Sequence, residues 1–185
     1  VLTYFMVDQL LLKDEAANLQ YGAIQAFVYA FTFIGGIFAD KILGFKKSLL
    51  FGGTVMILGN LLIAFSPSTM FYYGIAFSII GTGFFKPNIS SMVGELYHEN
   101  DHRRDAGYGM FYAGINVGGL LGGALCIYLG KYYSWQWCFL SAAIVMFLGL
   151  ITFLLTKKHL GPIGNSPLLN LDSNKRKVRE IAVYI

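Results

Sequence analysis

The sequence is poor in charged residues, and this shortage excludes an ordinary soluble domain. Charged residues make up 13% of the 185 residues and hydrophobic residues 56%, whereas about a quarter of a typical soluble domain is charged. No charged residue occurs between Lys47 and Lys86. Long apolar stretches with so few charges predict an all-α membrane protein with several spans.

Cysteine is also scarce, with only Cys126 and Cys138. Both lie in apolar surroundings without the spacing of a metal site, so we expect buried filler side chains and neither a metal nor another cofactor. The sequence begins without a methionine and lacks the layout of a signal peptide. We therefore expect it to be an internal piece of a longer protein.

Apolar runs near the ~20 residues of a membrane helix predict five complete spans and the end of another. Residues 1–12 are expected to be the outgoing end of a first helix, followed by a polar turn, KDEAANL. The complete spans are predicted at residues 20–39, 48–65, 70–96, 106–129 and 135–156. Together they make residues 1–156 a six-helix bundle with a truncated first helix. Residues 157–180 are predicted to be a cytoplasmic linker, and residues 181–185 the start of a seventh span.

The basic residues are concentrated in alternate loops. The basic set comprises Lys41, Lys46, Lys47, Arg103, Arg104, Lys157, Lys158 and the cluster KRKVR, whereas the other loops hold only Lys13 and Lys131. The positive-inside rule therefore predicts that loops 40–47 and 97–105 and the residues after 157 face the cytoplasm, in a multi-pass protein of the cell (inner) membrane. Because this asymmetry explains the net charge of +4, no nucleic-acid-binding surface is predicted.

Polar residues recur every four positions in three of the predicted spans, which aligns them on one face of each helix. These stripes are Tyr21, Gln25 and Tyr29; Thr82, Lys86 and Ser90; and Tyr108, Tyr112 and Asn116. Glycines at 114, 118 and 122 lie about 200° around the fifth span from its polar stripe. Since small residues allow helices to approach closely in lipid, this glycine face is expected to pack against another helix.

Each stripe has a structural explanation beside a functional one. Tyr21, Gln25 and Asn116 could make interhelical hydrogen bonds and nothing more. Lys86 could extend toward the cytoplasmic surface, which lies some ten residues on, or ~15 Å. Against this, side chains on a helix lean toward its N-terminus, away from that surface.

Pro87 follows Lys86 directly and is expected to kink the fourth span. It lacks a backbone donor, clashes with the carbonyl of Gly83 and disfavours helical geometry at Lys86. Such a kink would leave a carbonyl facing protein or water. Because a charge deep in a membrane costs a few kcal/mol, we expect Lys86 to face a water-filled cavity and to pair there with a substrate carboxylate.

Three motifs carry a resemblance to known transporters. GGIFADKILGFKK (35–47) resembles the loop signature of the major facilitator superfamily. GTGFFKPNIS (81–90) and RRDAGYGMFYAGINVGGL (103–120) together resemble the signature of its proton-coupled oligopeptide transporter family. The resemblance covers nearly the whole chain. It implies half of a twelve-helix carrier that moves di- and tripeptides together with protons, with the binding site between two six-helix bundles.

The resemblance also implies roles for particular residues. Lys86 matches the lysine that pairs with the peptide carboxylate and takes part in proton coupling. The matching peptide-site residues are Tyr29, Tyr112 and Asn116, and the matching residues of the cytoplasmic gate are Asp40, Arg103 and Arg104. The implied partners are small peptides, protons, the lipid bilayer and a C-terminal six-helix bundle of the same chain. The first-helix motif of the family, ExxERFxYY, and that second bundle are absent from this sequence.

Three other functions compete with peptide transport. An enzyme is not expected, because the histidines lie at the cytoplasmic ends of the spans and acidic residues are almost absent from them. A receptor or assembly subunit would explain the glycine face but not a lysine within a polar stripe. A major facilitator carrier of another anion-bearing solute, such as nitrate or an amino-acid derivative, remains the main alternative.

Overall fold

The computed structural model describes residues 1–98 and 100–167, which form helices and no strand. The α-helices are α1 (Leu2–Asp8), α2 (Asp14–Phe38), α3 (Phe45–Phe65), α4 (Phe71–Glu95), α5 (Arg103–Tyr132) and α6 (Trp135–Thr156). A π-helical turn, Ala39–Leu43, extends α2, and a 3-10 turn, Lys157–Leu160, follows α6. The predicted seventh span and most of the predicted linker lie outside the described residues.

The helix boundaries agree with the predicted spans within about three residues, except at two places. Helix α1 ends at Asp8, earlier than the predicted residue 12, and α2 starts earlier than predicted. The structure starts α2 at Asp14, so the prediction of a polar turn at KDEAANL was wrong beyond its first residue. Two acidic residues, Asp14 and Glu15, occupy the first helical turn, where negative charge is favoured by the helix dipole. The alanines and leucine that follow are strong helix formers. Charge therefore indicated the end of a membrane span here, but not the end of a helix.

Four helical stretches in the described chain are long and apolar enough to cross a membrane: Asp14–Leu43, Phe45–Phe65, Arg103–Tyr132 and Trp135–Leu160. The remaining long helix, α4, has 25 residues, which corresponds to a length of about 37 Å and is sufficient for a span. Its polar residues include Lys86, Asn88 and three serines.

Helix α4 lies between α2 and α3, and glycines bring the three backbones together. A methyl group added at Gly35 would overlap Gly83 of α4, and one added at Gly52 or Gly59 would lie 2.6 Å from the carbonyl oxygen of Gly81 or Gly74. Small residues of this kind allow the close van der Waals packing on which helix association in lipid depends. These glycine contacts, which the sequence analysis did not identify, hold α2, α3 and α4 together.

The glycine face predicted for α5 is not a packing face in the described chain. A methyl group added at Gly114, Gly118 or Gly122 would have no atom within 4 Å, and α5 contains no buried residue. Helix α5 packs mainly on α6 and makes few contacts with α4. The prediction failed because glycine spacing shows where a helix can be approached closely, but not which neighbour approaches it.

The apolar core is concentrated at the end of the bundle where α1 ends, here called the Phe5 end. Phe5 is fully buried, and its ring lies 5.0 Å from that of Phe71, 5.6 Å from that of Trp135 and 5.1 Å from that of Phe139. Stacked and edge-on aromatic pairs at these distances are favourable. They join α1 to α4 and α6. The opposite end, where Gly44 connects the α2 extension to α3, is called the Gly44 end.

The two cysteines form a disulfide between α5 and α6, so the prediction of buried filler side chains missed their bond. Their Cα atoms lie 4.4 Å apart, within the range that a disulfide requires. Cys138 is fully buried, as expected, and belongs to the core around Phe5. Sequence spacing did not reveal the pair because the two residues meet only when the helices on either side of the 133–134 turn pack antiparallel.

Candidate functional site

Lys86 and Tyr29, predicted from separate spans, come together in the structure. The Lys86 ammonium lies 5.4 Å from the centre of the Tyr29 ring, within the ~6 Å range of a cation–π interaction. Both side chains are exposed, Tyr29 by 66%. The close approach of α2 and α4 at Gly35 and Gly83 brings them within reach. The exposed side that they share, together with the adjoining polar stripe of α5, is called the open face.

Pro87 does not interrupt α4, which continues as α-helix from Phe71 to Glu95. The irregular backbone predicted at Lys86 is therefore not observed. The carbonyl of Gly83, which loses its intrahelical partner to the proline, points at Gly35 of α2. The freed carbonyl thus faces protein backbone and not the open face, because the packed neighbour holds α4 in helical geometry.

Asn88 is a positioning residue that the sequence analysis missed. It is only 1% exposed, and its side-chain amide donates to the carbonyl of Phe84 at 2.6 Å and to that of Gly35 at 3.4 Å. Because Asn88 lies two residues after Lys86, it points about 200° away around α4. It therefore binds α2 on the packed side while Lys86 occupies the open face. The signal was available in the sequence as a polar residue outside the polar stripe.

The stripe of α5 adjoins that of α4 through Tyr108, whose hydroxyl donates to the carbonyl of Ser90 at 3.3 Å. The two helices run in opposite directions. The step from Ser90 back to Lys86 along α4 and the step from Tyr108 on to Tyr112 along α5 therefore cover the same ~6 Å in the same direction. This relation sets Lys86 and Tyr112 at the same depth in the bundle. Tyr112 is 54% exposed. The described contacts include no direct bond between these two side chains.

Asn116 donates to the backbone carbonyl of Tyr112 at 2.9 Å, one turn earlier on its own helix. The hydrogen bond leaves its amide oxygen at the exposed side of α5, where the residue lies. The described chain shows no interhelical hydrogen bond from Asn116.

The three residues predicted for the cytoplasmic gate lie at the Gly44 end but do not pair with one another. Asp40 is exposed in the π-helical turn. Arg103 binds Asp101, with 2.9 Å between Nη2 and Oδ2 and 3.1 Å between Nε and Oδ1. Hydrogen bonds from the Arg103 side chain and backbone lower the pKa of Asp101 to about 2. Arg104 lies beside Gly94, near the end of α4.

The open face combines one basic side chain with several hydrogen-bonding side chains. A positively charged ammonium beside exposed tyrosine hydroxyls and an amide offers one charge and several hydrogen bonds to a small polar solute. No group of three His, Cys, Asp or Glu side chains in residues 1–98 and 100–167 is placed to hold a metal. A cavity of about 440 Å³ between α5 and α6 is a separate, largely apolar space beside the disulfide.

Solved peptide transporters have the same fold over nearly the whole chain. A peptide transporter POT in complex with sulfate is 33% identical and superposes with a TM-score of 0.85 over 99% of this chain and 38% of that one. A POT family transporter in complex with 5-aminolevulinic acid is 29% identical, with a TM-score of 0.87 over 99% of this chain and 39% of that one.

Curated relatives are also transporters. An uncharacterized transporter, YclF, of Bacillus subtilis (strain 168) is 43% identical over 79% of this chain and 30% of the relative. Dipeptide and tripeptide permease A of Proteus mirabilis (strain HI4320) is 32% identical over 90% of this chain and 35% of the relative. The chain thus spans about a third of the length of these relatives.

The sequence model of the POT family, PTR2, matches residues 46–169. This range includes the FKPN segment of α4 and the stripe of α5, so the family match covers most of the open face. The match covers more than half of the chain, and the chain is a multi-pass membrane protein that belongs to the POT family of transporters.

Proposed function

We propose that the chain is the N-terminal half of a carrier that moves di- and tripeptides across the membrane together with protons. The observation that carries this proposal is the Lys86–Tyr29 pair on the open face, beside the polar stripe of α5. In this proposal Lys86 pairs with the peptide carboxylate. Tyr29, Tyr112 and Asn116 line the same site, and a C-terminal bundle of the same chain closes it.

The proposed proton coupling follows from the cost of a lone charge in a membrane protein. An ammonium in the membrane interior needs water or an opposite charge to offset its desolvation. No carboxylate lies within salt-bridge distance of Lys86 in the described chain. A peptide carboxylate supplies that charge when it binds. Proton uptake by an acid elsewhere in the carrier would change the competition for Lys86 and so couple the proton to the peptide.

We further propose that the Gly44 end faces the cytoplasm of a cell with the chain in its inner membrane. Loops 40–47 and 97–105, together with Lys157 and Lys158, lie at this end in sequence order, as the positive-inside rule favours. The Cys126–Cys138 disulfide lies toward the opposite end, which suits the oxidising outer side of a membrane. Asp40, Arg103 and Arg104 would then belong to a cytoplasmic gate.

The test is peptide uptake by the full-length protein in proteoliposomes, with and without an imposed proton gradient. Lys86→Ala should abolish proton-driven accumulation of a labelled dipeptide. The matched control is Lys131→Ala, because Lys131 also lies over a tyrosine ring, that of Tyr4 at 5.1 Å, but at the Phe5 end. The control should accumulate peptide like the parent protein. Both variants must insert at similar levels.

The outcome separates the proposed function from its main alternative. Continued accumulation by Lys86→Ala would contradict the role assigned to this lysine. A parent protein that takes up nitrate or an amino-acid derivative, but neither takes up dipeptides nor is inhibited by them, would replace the peptide substrate with another anion-bearing solute.

A further inference from the structure

The segment directly after the 3-10 turn, residues 161–166 with the sequence GPIGNS, folds back onto the bundle. This segment is called the strap. Its residues belong to the predicted cytoplasmic linker, 157–180. Instead of leaving the bundle, it lies against the loop between α2 and α3 and against the last turn of α4 at the Gly44 end.

Lys46 makes three of the strap contacts. Its ammonium donates to the carbonyl of Gly161 at 2.6 Å and to the side-chain oxygen of Asn165 at 3.1 Å. Its backbone N–H donates to the carbonyl of Gly164 at 3.0 Å. A charged donor to two acceptors and a backbone bond from the same residue define one position for the strap along α3.

Glu95 binds the backbone N–H of Gly164, whose carbonyl accepts from Lys46. The N–H of Gly164 donates to the Glu95 carboxylate at 2.9 Å, so both backbone polar groups of Gly164 are satisfied by the bundle. Gly164 has a φ of +71°, a conformation that glycine adopts without the steric cost of a side chain. An added side chain there would also crowd Met92 and Lys46.

The strap also covers Gly44. Ser166 donates to the carbonyl of Ile42, and the backbone of Asn165 and Ser166 lies so close to Gly44 that an added methyl group would be 2.5 Å from it. Gly44 itself has a φ of +75°. The strap therefore contacts the π-helical extension of α2, the start of α3 and the end of α4 at once.

We propose that the strap locks these three helix ends into one unit. Lys46 and Glu95 are positioning residues, which affect transport by holding the strap in place. This proposal rests on the proposed carrier function. A carrier that exposes its site alternately to the two sides moves its bundles as units. A strap that ties the helix ends makes the Gly44 end move together. Loosening it should slow turnover without changing peptide affinity, because none of its residues lies on the open face.

The first experiment measures strap docking without transport. Ser166→Cys in the full-length protein places a thiol at a buried position, and its rate of reaction with a maleimide reports how often the strap lifts. The native cysteines are paired and do not react. Adding Lys46→Met, which removes two charge-assisted hydrogen bonds, should raise the labelling rate about tenfold or more. Glu95→Gln keeps an acceptor oxygen but loses the negative charge, so it should raise the rate less.

The matched control is Lys157→Met. Lys157 is an exposed lysine next to the strap with no side-chain hydrogen bond in the described chain, so its replacement should leave the labelling rate unchanged. Equal labelling rates of Ser166→Cys in the Lys46→Met, Glu95→Gln and Lys157→Met backgrounds would contradict the proposal that these contacts hold the strap. The same holds if Ser166→Cys alone labels as fast as an unfolded reference peptide.

The second experiment measures peptide uptake by Lys46→Met and Glu95→Gln, each without the reporter cysteine. Maximal uptake rate should fall while the peptide KM stays within about twofold of the parent value. If the variants are labelled faster but take up peptide like the parent protein, the strap docks as described but has no role in transport. Absence of peptide uptake in the parent protein would reject the proposed carrier function and leave the labelling result standing.

Discussion

Replacing Gly35 with alanine tests whether the close approach of α2 and α4 builds the open face. A methyl group at Gly35 would lie 2.7 Å from the carbonyl carbon of Gly83 and 2.9 Å from the Cα of Phe84. The carbonyl oxygen of Gly83 would lie closer still. Backbone atoms cannot rotate away, so α2 and α4 must separate by at least ~0.7 Å to restore an ordinary contact distance near 3.4 Å. Overpacking of this kind costs about 1–3 kcal/mol.

Separating α2 from α4 would also lengthen the distance between Lys86 and Tyr29. The Lys86 ammonium is now 5.4 Å from the Tyr29 ring centre, and moving the helices apart by about 0.7 Å takes the pair to the ~6 Å limit of a cation–π interaction. Gly35→Ala should therefore lower both stability and peptide uptake. Gly36→Ala is the matched control, since a methyl group at the neighbouring glycine would meet no atom within 4 Å.

The assay is unfolding of the purified full-length protein in detergent, followed by uptake in proteoliposomes. Gly36→Ala should be as stable as the parent protein or up to ~1 kcal/mol more stable, because alanine favours the helix. Gly35→Ala should be less stable than this control by about 1–3 kcal/mol. Equal unfolding transitions for the two variants, with equal uptake, would refute the argument that the Gly35–Gly83 contact sets the site.

Two further predictions concern the helix ends. In the denatured purified protein, the Cys126–Cys138 disulfide should prevent maleimide labelling until a reductant is added, after which two thiols should react; labelling of the denatured protein without reductant would show that the bond does not form. Because Arg103 lowers the pKa of Asp101 to about 2, below its ordinary value of 3.8, the stabilisation from this pair is present above pH 4 and is lost only as the pH falls through about 2. Protease cleavage of loop 97–102 should thus be equal at about pH 5 and pH 7, and faster for Asp101→Asn at both; a rise in cleavage of the parent protein on acidification to pH 5 would contradict this.

Much of the fold could be predicted because membrane spans are encoded locally. A hydrocarbon layer demands about 20 apolar residues with every backbone hydrogen bond made inside the helix, so α4 and α6 were located within a residue at each end. The four-residue period placed Lys86 and Tyr29 on exposed stripes of their own helices in the same way. The FKPN and FYxxIN segments, similarly local, indicated the family that the comparisons establish.

What depended on neighbours could not be predicted from one helix at a time. The glycine repeat of α5 was expected to pack and meets no neighbour among the described residues, whereas Gly35, Gly52 and Gly59 pack tightly without an obvious repeat. Pro87 was expected to make the backbone at Lys86 irregular, but α4, which packs against α2, continues as α-helix through it. In both cases local sequence defines what the backbone permits, and only the adjacent helix decides which permitted geometry is used.

The sequence by itself thus determined the helices, their polar faces and the residues available for a site. Tertiary structure alone decided which faces meet: Lys86 with Tyr29, Cys126 with Cys138, and the strap with Lys46 and Glu95. The physical reason is range. Apolar content and helical period act over one turn to one span, whereas these pairs are separated by 12 to 119 positions in the chain and form only after the helices have packed.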